Sequence, residues 1–478
     1  MTDTTPLTPE ALRAIDDTLG RTVTERETPG AAWGVIADGR LVHVAGAGTT
    51  SIDGGSTPGE RTLFRIASMT KSFTAAAVLA LRDDGALRLD DPVADHLPEA
   101  AGLRGPTADS PAITVRHLLS MGSGLPSDDP WADRHLDMSE AELTRAIAHG
   151  AWFAWPTDAA CQYSNLGYAV LGRLVAAATG RTCQDEITAR FLDPLGLGDT
   201  VWTPRPDQRD RAIGHRRVDD AWIADEPAPL GDGAFAAMGG LWSTVADVAR
   251  WVAFLLDAYP ARDDPDHGAL CRASRREMQQ VWRADHLGAT ACPTCDTLRV
   301  AADGYAAGLR VIRDLHVGTV VSHSGGVPGF GSNMRWLPDR GLGVVALGNA
   351  TYAPMGAANR AALDALAHGS LLPPTRLVPP PAPLVQAVHA LVALLNDWDD
   401  GQAASLFCDN VALDEPYDRR RAAAGALVAR LGRLEVGRIT AEHRADATAV
   451  LRGERGEAEL LVQLHPLLPP LVQWYETT

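Results

Sequence analysis

Ser68-Met69-Thr70-Lys71 places a hydroxyl and an amine three residues apart. Positions i and i+3 share a face of a helix, so this spacing brings the Lys71 amine within reach of the Ser68 oxygen. A serine hydroxyl attacks a carbonyl only when a base takes its proton, and a desolvated lysine is such a base. A helix N-terminus at Ser68 would add exposed N–H groups and a positive dipole end beside the nucleophile. Lys71 is also the only lysine: of 43 basic residues, 42 are arginine. Arginine holds its proton near neutral pH, whereas lysine can lose it. The lone lysine is therefore a candidate for chemistry. Taken alone, the tetrapeptide also reads as an N-cap serine followed by a surface lysine.

Two further clusters carry polar groups of the right kind. Tyr163-Ser164-Asn165 stands just before a helix expected from about Leu166. Its phenol can move a proton when a cation lies near, and its amide can hold a lysine or a substrate carbonyl. The other reading is a turn with a capping asparagine. His323-Ser324-Gly325-Gly326 follows a strand-like run, Gly318–Ser322. A glycine pair there lets backbone N–H groups approach a ligand, and His323 could donate to a carboxylate or a developing charge. The other reading is a plain strand-to-turn junction.

Ser-x-x-Lys, Tyr-x-Asn and His-Ser-Gly occur in that order with helical material between them. In this the sequence resembles the penicillin-recognising serine hydrolases. That family spans class C β-lactamases, D-Ala-D-Ala carboxypeptidases, esterases, D-aminopeptidases and acyltransferases. Leu89-Asp-Asp-Pro-Val93, Ile113–Leu119, Pro194-Leu-Gly196 and Gly239–Thr244 add to the likeness, which covers about residues 8–370. The resemblance implies an acyl-enzyme on Ser68 with Lys71 as partner base. Tyr163 would then act as general base or acid, and Asn165 would orient Lys71 and the substrate amide. His323 stands where many relatives have the lysine of Lys-Thr-Gly. The backbone N–H groups of Ser68 and Gly326 would form the oxyanion hole, with Ser324 and Gly325 along the substrate. No metal or cofactor is implied.

Asp128 or Asp129 is expected to meet a substrate amine, Trp131 an apolar group, and Trp242 the cleft wall; turn chemistry around Asp-Pro is the alternative for the first two. Ser322-x-Ser324-x-Gly326 lacks the first glycine of a nucleophile elbow. Cys292-Pro-Thr-Cys295 has metal-ligand spacing, with His267, Cys271 and His286 upstream, but a single Cys-x-x-Cys falls short of four ligands.

Elements must position these groups. Thr8-Pro9-Glu10 opens a helix to about Glu25. Ala31–Ile36 and Leu41–Ala45 form a hairpin around Asp38-Gly39. A helix over Ser68–Arg82 carries the nucleophile, and helices dominate from about 85 to 300, with Asp257–Arg299 a polar surface excursion. Strands return at 308–312, 318–322, 331–337 and 341–348, followed by a helix over 356–368. The expected class is α+β: an antiparallel sheet assembled from both ends of the segment, flanked by helices, with a helical subdomain. Leu371–Leu384 is a proline-rich spacer between a 1–370 hydrolase domain and a small α+β domain over 385–478, of nuclear-transport-factor-like or, less readily, lipocalin-like type.

The 478 residues are 46% hydrophobic and 22% charged, with a net charge of -17. This composition excludes a disordered chain, and the acidity argues against nucleic acid as a partner. Apolar runs such as Ala75–Leu81 fall far short of the roughly 18 residues a membrane span needs. The first residues show no basic, then apolar, leader pattern. The expectation is a cytoplasmic hydrolase of small esters, amides or peptides, with homodimerisation possible through the C-terminal domain. Two alternatives stay open: an acyltransferase or peptide cyclase of the same fold, and a penicillin-binding protein without turnover.

Overall fold

The computed structural model describes residues 7–478 apart from 26, 206–209, 226–231, 267, 292–297 and 377–378. The chain divides into two compact units, Met1–Pro374 and Thr375–Thr478.

The first unit is built on one antiparallel sheet. Its strands are β1 (Gly30–Ala37), β2 (Arg40–Gly48), β3 (Arg283–Ala291), β4 (Leu298–Tyr305), β5 (Arg310–Asp314), β6 (Gly318–Val327), β7 (Phe330–Leu337) and β8 (Leu342–Gly348). Their order across the sheet is β2-β1-β8-β7-β6-β5-β4-β3. The N-terminal hairpin thus joins a strand more than 300 residues later through β1 and β8, with Ala31 opposite Gly348. β7 and β8 are buried along their whole length, because helices cover both faces. On one face lie α1 (Pro9–Thr24), presenting Ala11, Ile15 and Leu19 at helical spacing, and the late helix over Met355–His368. The other face carries the main core. There the helix Thr70–Asp83, called α2, is buried from Thr70 to Leu81. Its alanine run lets neighbours approach from every side, as a helix in the middle of a core requires. Further helices in this unit are α3 (Glu140–His149), α4 (Asn165–Thr179) and α5 (Val245–Leu256); α6 denotes Met355–His368.

Two expectations need correction. Asp257–Arg299 is not only a surface excursion: it holds the short helix Arg272–Glu277 and strand β3, and β4 follows from Leu298. β3 is the sheet edge, and its largely exposed residues hide the period-2 pattern by which a strand is read. His323–Gly326 are not a turn after a strand. They lie inside β6, which runs on to a two-residue turn at Pro328-Gly329.

The second unit has α7 (Ala382–Asn396), α8 (Asp400–Leu406), α9 (Asp409–Asp414) and α10 (Tyr417–Leu431), then the antiparallel strands β9 (Glu435–His443), β10 (Asp446–Gly453), β11 (Gly456–Leu464) and β12 (Val472–Thr477), in that order across the sheet. It has a core of its own, in which Leu391 and Leu395 of α7 meet Leu451 and Leu460 of the sheet. The sheet is open at β9 and β12, so it is not a closed barrel.

Candidate active site

Ser68 sits on a single 3-10 turn, Ala67–Met69, that leads directly into α2. Ala67, fully buried, has a φ of 48°. A left-handed alanine costs about 1–2 kcal/mol, and such strain persists only where the surroundings enforce it. Here they do. The Thr70 hydroxyl donates to the Ala67 carbonyl at 2.7 Å. A Cβ at Gly325 of β6 would collide with the Ile66 carbonyl, so the strand closes onto this turn through a missing side chain. The Ser332 hydroxyl of β7 donates to the same Ile66 oxygen at 2.8 Å.

One turn along, the Lys71 amine has no exposure to solvent. It donates to Ser68 Oγ at 3.0 Å, to Asn165 Oδ1 at 2.6 Å and to the Met238 carbonyl at 2.7 Å. It also lies 4.9 Å from the centre of the Tyr163 ring. Burial pushes its pKa down to about 7, against the pull of Asp129, Asp133 and Asp128. The amine is therefore a base near neutral pH; in its neutral form two hydrogens serve Asn165 and the Met238 carbonyl, and the lone pair is left facing the Ser68 hydroxyl. Burial drives the Tyr163 phenol well above its ordinary 10, and an interaction with the Ser68 side chain only partly opposes this. Tyr163 is protonated at neutral pH.

Asn165 is the first residue of α4. Its Oδ1 faces Lys71 because its Nδ2 donates to Asp129 Oδ1 at 2.7 Å. Asp128 accepts the next two donors of the same helix end, the N–H groups of Asn165 at 2.7 Å and Leu166 at 2.9 Å. Both carboxylates thus already serve the Lys71 side of the cavity. Asp129 still lines the cavity.

His323 is buried, and burial and then Lys71 lower its pKa to about 3, so the ring is neutral. Nδ1 lies 2.6 Å from the Ser324 carbonyl, which can only accept, so Nδ1 carries the proton. Nε2 then accepts from the Tyr305 hydroxyl at 3.0 Å. Both ring nitrogens are engaged within the protein. His323 does not supply a positive charge where a lysine would stand. Tyr305 escaped the sequence reading, since nothing local marks a tyrosine whose partner is on another strand. The Ser324 hydroxyl accepts from Asn333 Nδ2 at 2.9 Å, which leaves its own hydrogen free.

The register of β6 sets its backbone directions. A two-residue turn makes Val327 and Phe330 a hydrogen-bonded pair, and such pairs alternate along the ladder. Val327, Gly325 and His323 therefore bond to β7, while Gly326, Ser324 and Ser322 point to the opposite edge. β5 covers that edge only as far as Ser322. The Gly326 N–H faces the open cleft that Ser68 shares.

A cavity of about 540 Å³ joins these groups. Ser68, Tyr163, His323, Ser324, Gly325 and Gly326 line it, as do Arg310, Arg335 and Arg360. Two expected wall residues stand elsewhere. Trp242 is 7% exposed, packed between Arg65 and Arg211 with Phe330 at its edge. Trp131 is outside the lining and stacks on His135 against Phe235. Cys292, Cys295 and His267 lie outside the described residues; Cys271 contacts Asp83 and Ser274. No described helix is long and apolar enough to cross a membrane.

The fold and the buried lysine beside a helix-end serine define an α+β protein with a Ser-x-x-Lys centre. The family model described as Beta-lactamase matches residues 15–369, and the chain belongs to that family. Among curated relatives, "Penicillin-binding protein 4" of Amycolatopsis lactamdurans is 32% identical over 327 residues, 68% of this chain and 81% of that protein. "Protein flp" of Staphylococcus aureus strain N315 is 26% identical over 351 residues, 72% of this chain and 64% of that protein. A solved structure titled "Structure of the octameric penicillin-binding protein homologue from Pyrococcus abyssi" superposes with a TM-score of 0.63 at 20% identity, over 95% of this chain and 91% of that one. This last likeness is one of fold.

Proposed function

We propose that the protein is a serine hydrolase that forms an acyl-enzyme on Ser68 with small esters, or with amino-acid amides and short peptides, D-configured ones included. The observation that carries this reading is the fully buried Lys71 amine, 3.0 Å from Ser68 Oγ, with a pKa of about 7. Lys71 takes the Ser68 proton as Oγ attacks the carbonyl. The tetrahedral oxyanion is held by the N–H groups of Ser68 and Gly326; losing one such donor typically costs about 10²–10³ in rate. The protonated amine then returns its proton to the departing alcohol or amine through the Tyr163 hydroxyl. Water enters by the same path and attacks the acyl carbon while giving a proton to Lys71; the Ser68 Oγ–acyl bond then breaks, Lys71 returns that proton to Ser68 Oγ, and the acid leaves. Asn165 keeps the Lys71 amine aimed, and Ser324 donates to the substrate backbone.

Two readings share the first half of this cycle. An amine acceptor in place of water makes an acyltransferase. A long-lived adduct makes a penicillin-binding protein, as the relatives' names suggest. Intact-protein mass with benzylpenicillin and with a small ester, on wild type and on Ser68→Ala, separates them. An adduct on wild type alone, discharged into water, supports the hydrolase. Discharge only with added amine supports the transferase, and a persistent adduct the binder. No adduct from either reagent refutes the acyl-enzyme.

A further inference from the structure

Tyr352 lies in the loop between β8 and α6. Its backbone is left-handed, with a φ of 52°, a conformation side-chain-bearing residues seldom adopt. Its N–H donates to the Phe330 carbonyl at 3.2 Å. The loop base is fixed by buried Asn349, which accepts from the Gly30 N–H at 2.7 Å and donates to the Thr49 carbonyl at 3.0 Å. The loop is thus built to hold this conformation, as strain at a working position requires.

The side chain is 50% exposed, yet its hydroxyl donates at 2.7 Å to Asp133, which is 2% exposed. Asp133 belongs to the helical side, five residues beyond Asp128, whereas Tyr352 springs from the sheet side. The ring lies against Gly326, where a Cβ would come within 2.5 Å of Cδ1. Tyr352 and Ser68 line the same cavity. A tyrosine there only for packing would be covered, and one there only for solubility would not be tied to a buried carboxylate.

From these observations we propose that Tyr352 is a specificity-determining wall of the cavity. Tethered to Asp133, its ring spans the mouth beside the Gly326 N–H and limits the size of the group that can lie there during attack by Ser68. The larger part of a substrate is left the rest of the cavity, which Ser324 and Arg360 also line. This inference rests on Ser68 being the acylated residue.

The test compares the rates at which a small and a bulky alkyl fluorophosphonate label Ser68, followed by intact mass, in wild type and variants whose folding is checked by thermal melting. Wild type favours the small probe. Tyr352→Ala lowers the small-to-bulky rate ratio tenfold or more. Tyr352→Phe and Asp133→Ala keep the ring but cut the tether, and lower the ratio two- to fivefold. A merely structural role would slow both probes alike and leave the ratio unmoved. A ratio within twofold of wild type in Tyr352→Ala, or a wild type without preference, overturns the wall but leaves the acyl-enzyme standing. Should Tyr352→Ala not fold, unchanged ratios in both tether variants overturn it. A wild type that neither probe labels overturns the acyl-enzyme reading and the wall with it.

Discussion

The pH dependence of acylation tests the assignment of Lys71 most directly. An ordinary lysine amine, with a pKa of 10.5, would be neutral in about 0.3% of molecules at pH 8, whereas at about 7 some 90% are neutral. The site thus raises the population of free base about 300-fold at that pH, burial outweighing the three nearby aspartates. If Lys71 is the base, kcat/KM for a small ester falls tenfold per pH unit below about 7 and levels off above it. Lys71→Arg keeps the charge but presents a group that does not deprotonate in this range. Its rate should fall by about 10²–10⁴, the usual worth of a positioned base, and the limb near 7 should vanish. The assay is initial-rate hydrolysis between pH 5 and 10, corrected for spontaneous ester cleavage, on wild type and Lys71→Arg. A limb near or above 10 would shift the role of base to Tyr163, whose phenol burial holds well above that value. A flat profile from 5 to 9, or an arginine variant within tenfold of wild type, refutes the reasoning.

Other perturbations read other parts of the site. Gly325→Ala puts a methyl group against the Ile66 carbonyl and must push β6 off the turn that carries Ser68; kcat/KM should fall 100-fold or more, and an active alanine variant would show the contact to be slack. Asp128→Ala removes the acceptor for the Asn165 and Leu166 N–H groups, so the denaturation midpoint should report a loss of about 1–2 kcal/mol, as for other helix caps. Tyr305→Phe takes away the hydrogen bond to His323 Nε2; kcat/KM should drop about 3- to 10-fold, with a change in the His323 ring nitrogen shifts by NMR, and constancy of both would leave Tyr305 without a positioning role.

What the sequence disclosed follows from where each signal resides. The Ser68–Lys71 contact is three residues long, so helical geometry alone predicts it. α1 and the β1–β2 hairpin carry caps, a proline and an Asp-Gly turn, all of them local. The partners of Asp128 and Asp129 are 36 to 38 residues away on another helix, and no local rule distinguishes a carboxylate that caps Asn165 from one that awaits a substrate amine. Tyr305 and Tyr352 act through strand neighbours and loop closure. Pairing across the sheet fixes their positions, and a single sequence does not display that pairing. Trp242 misleads for a related reason: a tryptophan in a glycine-rich stretch suits a cleft wall, but two arginines reach its ring from elsewhere in the chain.

A protein whose only lysine is fully buried has a practical consequence. Amine-directed reagents, such as activated esters used to attach dyes, biotin or a solid support, have no side-chain target on its surface. They should couple only at the chain's terminal amine, giving one label per molecule in a uniform orientation with the Lys71 amine untouched. Formaldehyde or other lysine-directed crosslinkers, for the same reason, would be poor reporters of assembly here, and carboxylate- or arginine-directed chemistry is the better choice.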